Sequence, residues 1–107
     1  MPAVGSSVVD VLRELQYRFA KLEPVVAAYL QYDPRGNRIA ITTLLEDFDP
    51  DVEARIANVE VFVNQTYEDF AFTFDTVHLK GRDPAMFERP GASLLVDRTG
   101  RSRQVIG

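Results

Sequence analysis

Two stretches rich in apolar and β-forming residues, Val25 to Tyr32 and Arg38 to Leu45, are separated by Asp33-Pro34-Arg35-Gly36-Asn37. Pro34 presets the φ angle of a turn and Gly36 supplies the positive φ that a reversal needs, so the pattern predicts an antiparallel hairpin. This is the most specific local signal in the chain, and any fold must be built around it. Apolar residues fall on both faces of the second strand, Ile39 and Ile41 against Ala40 and Leu44, which predicts a sheet covered on both sides at this point.

What flanks the hairpin is helical on one side and mixed on the other. Before it, Val8, Leu12, Leu15, Phe19 and Leu22 recur every three or four residues and form one stripe, with Ser6 or Ser7 placed to cap. Arg13, Glu14, Arg18 and Lys21 take the opposite side, Glu14 and Arg18 as an i,i+4 pair, and Pro24 blocks continuation. After the hairpin, Asp49-Pro50-Asp51 reads as a cap, a first-turn proline and a first-turn acid. Val52, Ile56, Val59, Val63 and Tyr67 then follow one helical face. Val59 to Val63 also alternates like a strand, but the length of the segment and its start signal favour helix.

Phe70, Phe72 and Phe74 alternate with Ala71, Thr73 and Asp75 before Val77 and Leu79, which predicts a strand with one aromatic face. Lys80 to Pro84 closes it. A short helical turn at Ala85 to Glu88 and a last strand from Ser93 to Asp97 complete an α-β-β-α-β order with a short α-β appendage. The crossover from the second to the third strand makes those two parallel, so the expected fold is α+β, a mixed three- to four-stranded sheet packed by two main helices. Helices on the faces of the sheet would set the Phe70, Phe72, Phe74 row under one helical layer. The expected organisation is a flexible segment 1–7, one α/β domain over 8–97, and a basic tail over 98–107.

Composition narrows the chemistry. At 107 residues, with 46% apolar and 26% charged residues, the chain has the make-up of an ordinary globular domain. It has no cysteine, which excludes a disulfide scaffold, a thiolate metal site and a cysteine nucleophile, and suits a reducing, cytoplasmic location. No apolar run reaches the length of a membrane span, and no membrane association is expected. Arg98, Arg101 and Arg103 follow Asp97 with no acid among them, so the remainder is more acidic than the net charge of -4 implies. Such a body repels phosphate backbones, and no nucleic-acid partner is expected.

Candidate site residues are few. His78 is the only histidine; alternation puts it on the Phe74 face, with Asp75 on the other, although acids from an adjacent strand or loop can still approach it. No serine or cysteine in the same segment offers a nucleophile. Asp75 interrupts the less aromatic face and needs solvent or a partner such as Arg38 on the neighbouring strand. Asp75, His78 and Arg38 are therefore the candidate ligand-binding residues. Glu46, Asp47, Asp49, Asp51 and Glu53 crowd five acids together, but their spacing lacks the central glycine and closing glutamate of an EF-hand, and helix capping accounts for three of them. Lys80-Gly81-Arg82-Asp83 shares only composition with a phosphate loop and reads as a turn.

In the order of its elements over residues 8–97 the chain resembles the minimal nucleotidyltransferase fold, a small module often found as half of a toxin–antitoxin pair. The resemblance implies a Gly-Ser loop after the first strand, Asp-x-Asp on the second and a further acid on the third, three carboxylates that hold two Mg²⁺ ions. Here Asp33-Pro34-Arg35-Gly36-Asn37 contains no serine, and Arg38-Ile39-Ala40 stands where Asp-x-Asp belongs. Asp75 alone falls where the third acid would be. The resemblance therefore implies a degenerate, non-catalytic relative without a cofactor, working as a partner or antitoxin-type subunit through another protein or as a homo-oligomer. Val61 and Phe62, off the main stripe of the second helix, and an open sheet edge suit that reading. The alternative is a small metal- or nucleotide-dependent enzyme or ligand-binding domain that uses Asp75 and His78.

Overall fold

A computed structural model of the chain describes residues 7–100. The expected flexible segment 1–7 is, but for Ser7, outside the described residues, as are Arg101 and Arg103 of the expected tail. Helix α1 spans Val8–Phe19, strands β1 and β2 Val25–Asp33 and Arg38–Leu45, helix α2 Pro50–Thr66, and strands β3 and β4 Ala71–His78 and Ser93–Asp97, with a 3-10 turn at Pro84–Phe87 before β4. The fold is α+β, with two helices and a four-stranded mixed sheet in the order β3-β2-β1-β4. β1 runs antiparallel to β2 and to β4, while β2 and β3 are parallel, in register from Arg38 opposite Ala71 to Leu45 opposite His78.

Local chemistry explains each boundary. The Ser7 hydroxyl accepts the Asp10 N–H, and the Asp10 carboxylate accepts the Ser7 N–H, both at 3.2 Å, a reciprocal cap on α1. At the hairpin, Asp33 Oδ1 accepts the Arg35 N–H at 2.9 Å and Gly36 takes φ +84°. A Cβ on Gly36 would meet Arg38 Nε at 3.2 Å, so space as well as φ favours glycine there. Asp49 Oδ1 accepts the N–H groups of Asp51 and Val52, and helix wins over strand for Val59 to Val63, as the strong start signal requires.

Both helices lie on one face of the sheet. Val11, Leu15 and Phe19 of α1 and Val52, Ile56, Val59 and Val63 of α2 form one cluster with Ala28, Leu30, Ile39, Ile41 and Leu45 of the strands. Each such fully buried side chain contributes about 1.5–3 kcal/mol. The stripe of α1 is thus centred on Val11, Leu15, Phe19 and Leu22, with Val8 and Leu12 only flanking it, one residue away from the expected centre. The other face is covered at one end only, where Leu79, Phe87 and Ala92 pack on Ala27, Tyr29 and Leu44. Towards the hairpin Gln31 and Arg38 are exposed, so cover on both sides holds at the Leu44 end of β2 and fails at its start.

Two expectations, one about charge and one about apolar surface, are corrected. Arg98 does not belong to a free basic tail: its guanidinium donates to the carbonyl oxygens of Ala20, Leu22 and Val25 at 2.8–3.0 Å, satisfying the chain where α1 ends. Phe62 is not a spare apolar residue either, since it packs on the core with the Arg18 guanidinium 3.7 Å above its ring. Val61 is 54% exposed, as expected of an off-stripe position. No helix among the described residues is long and apolar enough to cross a membrane.

Candidate functional site

The parallel pair β2 and β3 ends where α2 begins, and that arrangement brings sequence-distant polar groups together. Ligands of open α/β sheets bind outside the carboxyl ends of parallel strands, which makes this end the first place to look. The last residue of β3, His78, sits opposite Leu45, and the first turn of α2 passes over it. His78 Nε2 lies 2.7 Å from Glu53 Oε2, with the two side chains 29% and 26% exposed. Phe48, 63% exposed in the connection from β2 to α2, stands edge-on to the imidazole with centroids 6.0 Å apart.

A tight main-chain frame holds this pair. The Leu79 N–H donates to the Leu45 carbonyl and the Lys80 N–H to the Glu46 carbonyl, while the Glu46 carboxylate accepts the Gly81 N–H at 2.6 Å. Lys80 and Gly81 both take positive φ and form a turn. Arg82 donates to the His78 carbonyl at 2.6 Å and to the Leu79 carbonyl at 2.9 Å, with Phe87 beside its guanidinium.

The contact engages His78 Nε2 and leaves Nδ1 as the ring nitrogen that can meet a ligand. The acid run resolves into separate tasks: Asp49 caps α2, Glu46 holds the 80–81 turn and Glu53 holds His78. Among the described residues no group of three histidines and carboxylates is placed to hold a metal ion.

The three candidates from the sequence do not converge. Asp75 is exposed midway along β3, opposite Thr42, on the face away from the helices. Arg38 lies opposite Ala71, four positions down the strands and so about 13 Å from Asp75 along their direction. The expected cross-strand ion pair is absent among the described residues, because the register separates the two charges. Arg38 instead borders a hollow of about 340 Å³ beside the hairpin, with Gln31, Asp33 and Thr73. Glu53 is the partner that sequence reasoning missed. Its place in the acid run was visible, and what selected it from five acids was the path of α2 over the end of β3.

The chain matches no family model, no curated protein and no solved structure.

Proposed function

We propose that this is a non-catalytic interaction domain that takes up an extended segment of another chain along β3. The observation that carries the reading is the outer edge of β3, which no strand pairs among the described residues. Sheet edges are ordinarily blunted by shortness, proline, lysine or a bulge. The opposite edge, β4, is five residues long and bulged against β1. β3 runs for eight residues, contains neither proline nor lysine, and carries only Asp75 and His78 as ionisable groups. On its helix-covered side Phe72 and Phe74 stay half-buried in a continuous aromatic row with Phe70, apolar surface that an added strand would cover.

A second copy of the chain is the occupant to test first, because pairing β3 with itself across a two-fold axis uses one surface twice and closes the assembly. In this reading the chain is a nucleotidyltransferase-like partner or antitoxin-type subunit that has lost its chemistry. The order of elements and the position of Asp75 on β3 support that lineage. Sedimentation equilibrium of the full chain tests self-pairing. Wild type is expected to dimerise with concentration, and Thr73→Lys with Asp75→Lys, both at exposed positions, to be monomeric with an unchanged circular dichroism spectrum. A wild type that stays monomeric at every concentration would overturn it.

The His78–Glu53 pair favours a second reading, a small-ligand binding domain that uses His78 but not Asp75, which lies on the other face. A thermal shift with Mg²⁺ and a nucleoside triphosphate that disappears in His78→Ala would favour this reading over the first.

A further inference from the structure

The outer surface between α1 and α2 carries a charge pattern opposite to that of the whole chain. A groove of about 460 Å³ opens between the last turns of α1 and the middle of α2, lined by Tyr17, Arg18, Lys21, Arg55 and Asn58 over a floor of Leu22 and Val59. Three of these residues are cations and none is a carboxylate, in a chain of 16 acidic and 12 basic residues. Arg18 is compensated by Glu14, but Lys21 and Arg55 are exposed and turn their charges into the groove, a local field that favours an anion.

The three cations differ in how they are held. Arg18 is fixed: its Nε donates to Glu14 at 2.6 Å and its guanidinium carbon sits 3.7 Å from the centroid of the Phe62 ring. Lys21 and Arg55 have no ion-pair partner among the described residues. Lys21 Nζ donates to the Tyr17 hydroxyl at 2.7 Å and sits 3.9 Å over the Tyr17 ring, while Arg55 reaches only the Lys21 carbonyl, at 3.4 Å. The Tyr17 phenol is held below its ordinary value of 10.0, first by that hydrogen bond and then by the Lys21 charge, so the field of the groove already favours a negative oxygen.

We propose that this groove binds a small phosphate-bearing molecule, with Lys21 and Arg55 contacting the phosphate oxygens, Arg18 as a fixed cationic wall and Asn58 as a neutral donor. A guanidinium presents paired N–H groups that match a tetrahedral oxyanion, and lysine adds a point charge that follows it. The apolar floor and the Tyr17 ring leave room for an organic group attached to the phosphate. The site lies between the helices, on the far side from the open face of the sheet, and does not depend on the β3 edge.

The test is a titration of the full-length protein, followed by amide chemical shifts, with inorganic phosphate, pyrophosphate and a single-stranded oligonucleotide as separate probes. The expected result is saturable shifts of residues 17–22 and 55–59 with phosphate or pyrophosphate. Tighter pyrophosphate binding would mark a diphosphate ligand and equal binding a monophosphate. Lys21→Gln and Arg55→Gln are each expected to weaken binding about tenfold, the loss of one charge-assisted contact, while Arg89→Gln leaves it unchanged. Both altered side chains lie at the groove surface, and unchanged amide dispersion verifies folding. Absence of shifts at millimolar anion, shifts spread evenly over all basic residues, binding indifferent to both variants, or oligonucleotide binding without pyrophosphate binding would each overturn the proposal.

Discussion

Glu53 Oε2 and His78 Nε2, 2.7 Å apart, tie the first turn of α2 to the last residue of β3. The two residues are 25 positions apart in the chain, and the pair is a polar link between α2 and the sheet. It is also three-quarters shielded from water, which strengthens it relative to a surface pair.

Glu53→Ala and His78→Ala should therefore each lower stability by about 1 kcal/mol, and the double variant by less than their sum, with a coupling of at least about 0.5 kcal/mol. Glu53→Gln, which keeps an acceptor, should cost less than Glu53→Ala. Chemical denaturation of the four proteins measures this. Strict additivity would mean that the two side chains do not interact in solution. The ring nitrogen shifts of His78 give an independent check on whether Nε2 carries the proton shared with Glu53.

Thr43 presents the opposite situation. It is 1% exposed on β2, and its hydroxyl has no hydrogen-bond partner among the described residues. A buried hydroxyl without a partner costs about 1–3 kcal/mol of desolvation. Thr43→Val keeps the shape and removes that cost, so it should raise stability by about 1 kcal/mol, read as a higher denaturation midpoint with an unchanged m-value. A destabilised Thr43→Val would show that the hydroxyl finds a partner in solution.

These relationships mark where the sequence was legible. Asp33 to Asn37 dictated the hairpin because proline and a positive-φ glycine leave the backbone few alternatives, and Asp49-Pro50 dictated the start of α2 for the same kind of local reason. The parallel pairing of β2 and β3 followed from the length of the connection. What local chemistry could not supply was the choice of face. Periodicity says that α1 and α2 each have an apolar side, but both are satisfied by either face of the sheet, and only the three-dimensional path put them together on one. The same path selected Glu53 for His78, separated Arg38 from Asp75 by register, and turned Arg98 from a tail charge into the group that caps the end of α1. Arg18 and Lys21 read in sequence as part of the polar side of α1, and no sequence signal tied Arg55 to them. Their convergence is a property of the α1–α2 packing alone.

Tyr17 and Tyr67 make that packing measurable, because they share a neighbouring hollow with Asp10, Arg13 and Glu14 and their phenols are shifted in opposite directions. The Lys21 hydrogen bond and charge lower Tyr17, whereas burial, followed by the charges of Glu14 and Asp10, raises Tyr67. The signs follow from linkage. For Tyr17 the folded state loses its proton before the unfolded state does, so its contribution to stability grows as pH rises from the folded value to the ordinary phenol value. For Tyr67 the folded state keeps its proton longer, so its contribution is lost as pH rises from the ordinary value through the folded one. Titration of phenolate absorbance should thus show an early step from Tyr17 and a late step from Tyr67. Tyr17→Phe should remove the early step and Tyr67→Phe the late one. Lys21→Met should move the early step up towards the ordinary value and leave the late one in place. If the early step survives Lys21→Met unchanged, the Lys21–Tyr17 contact does not govern that phenol.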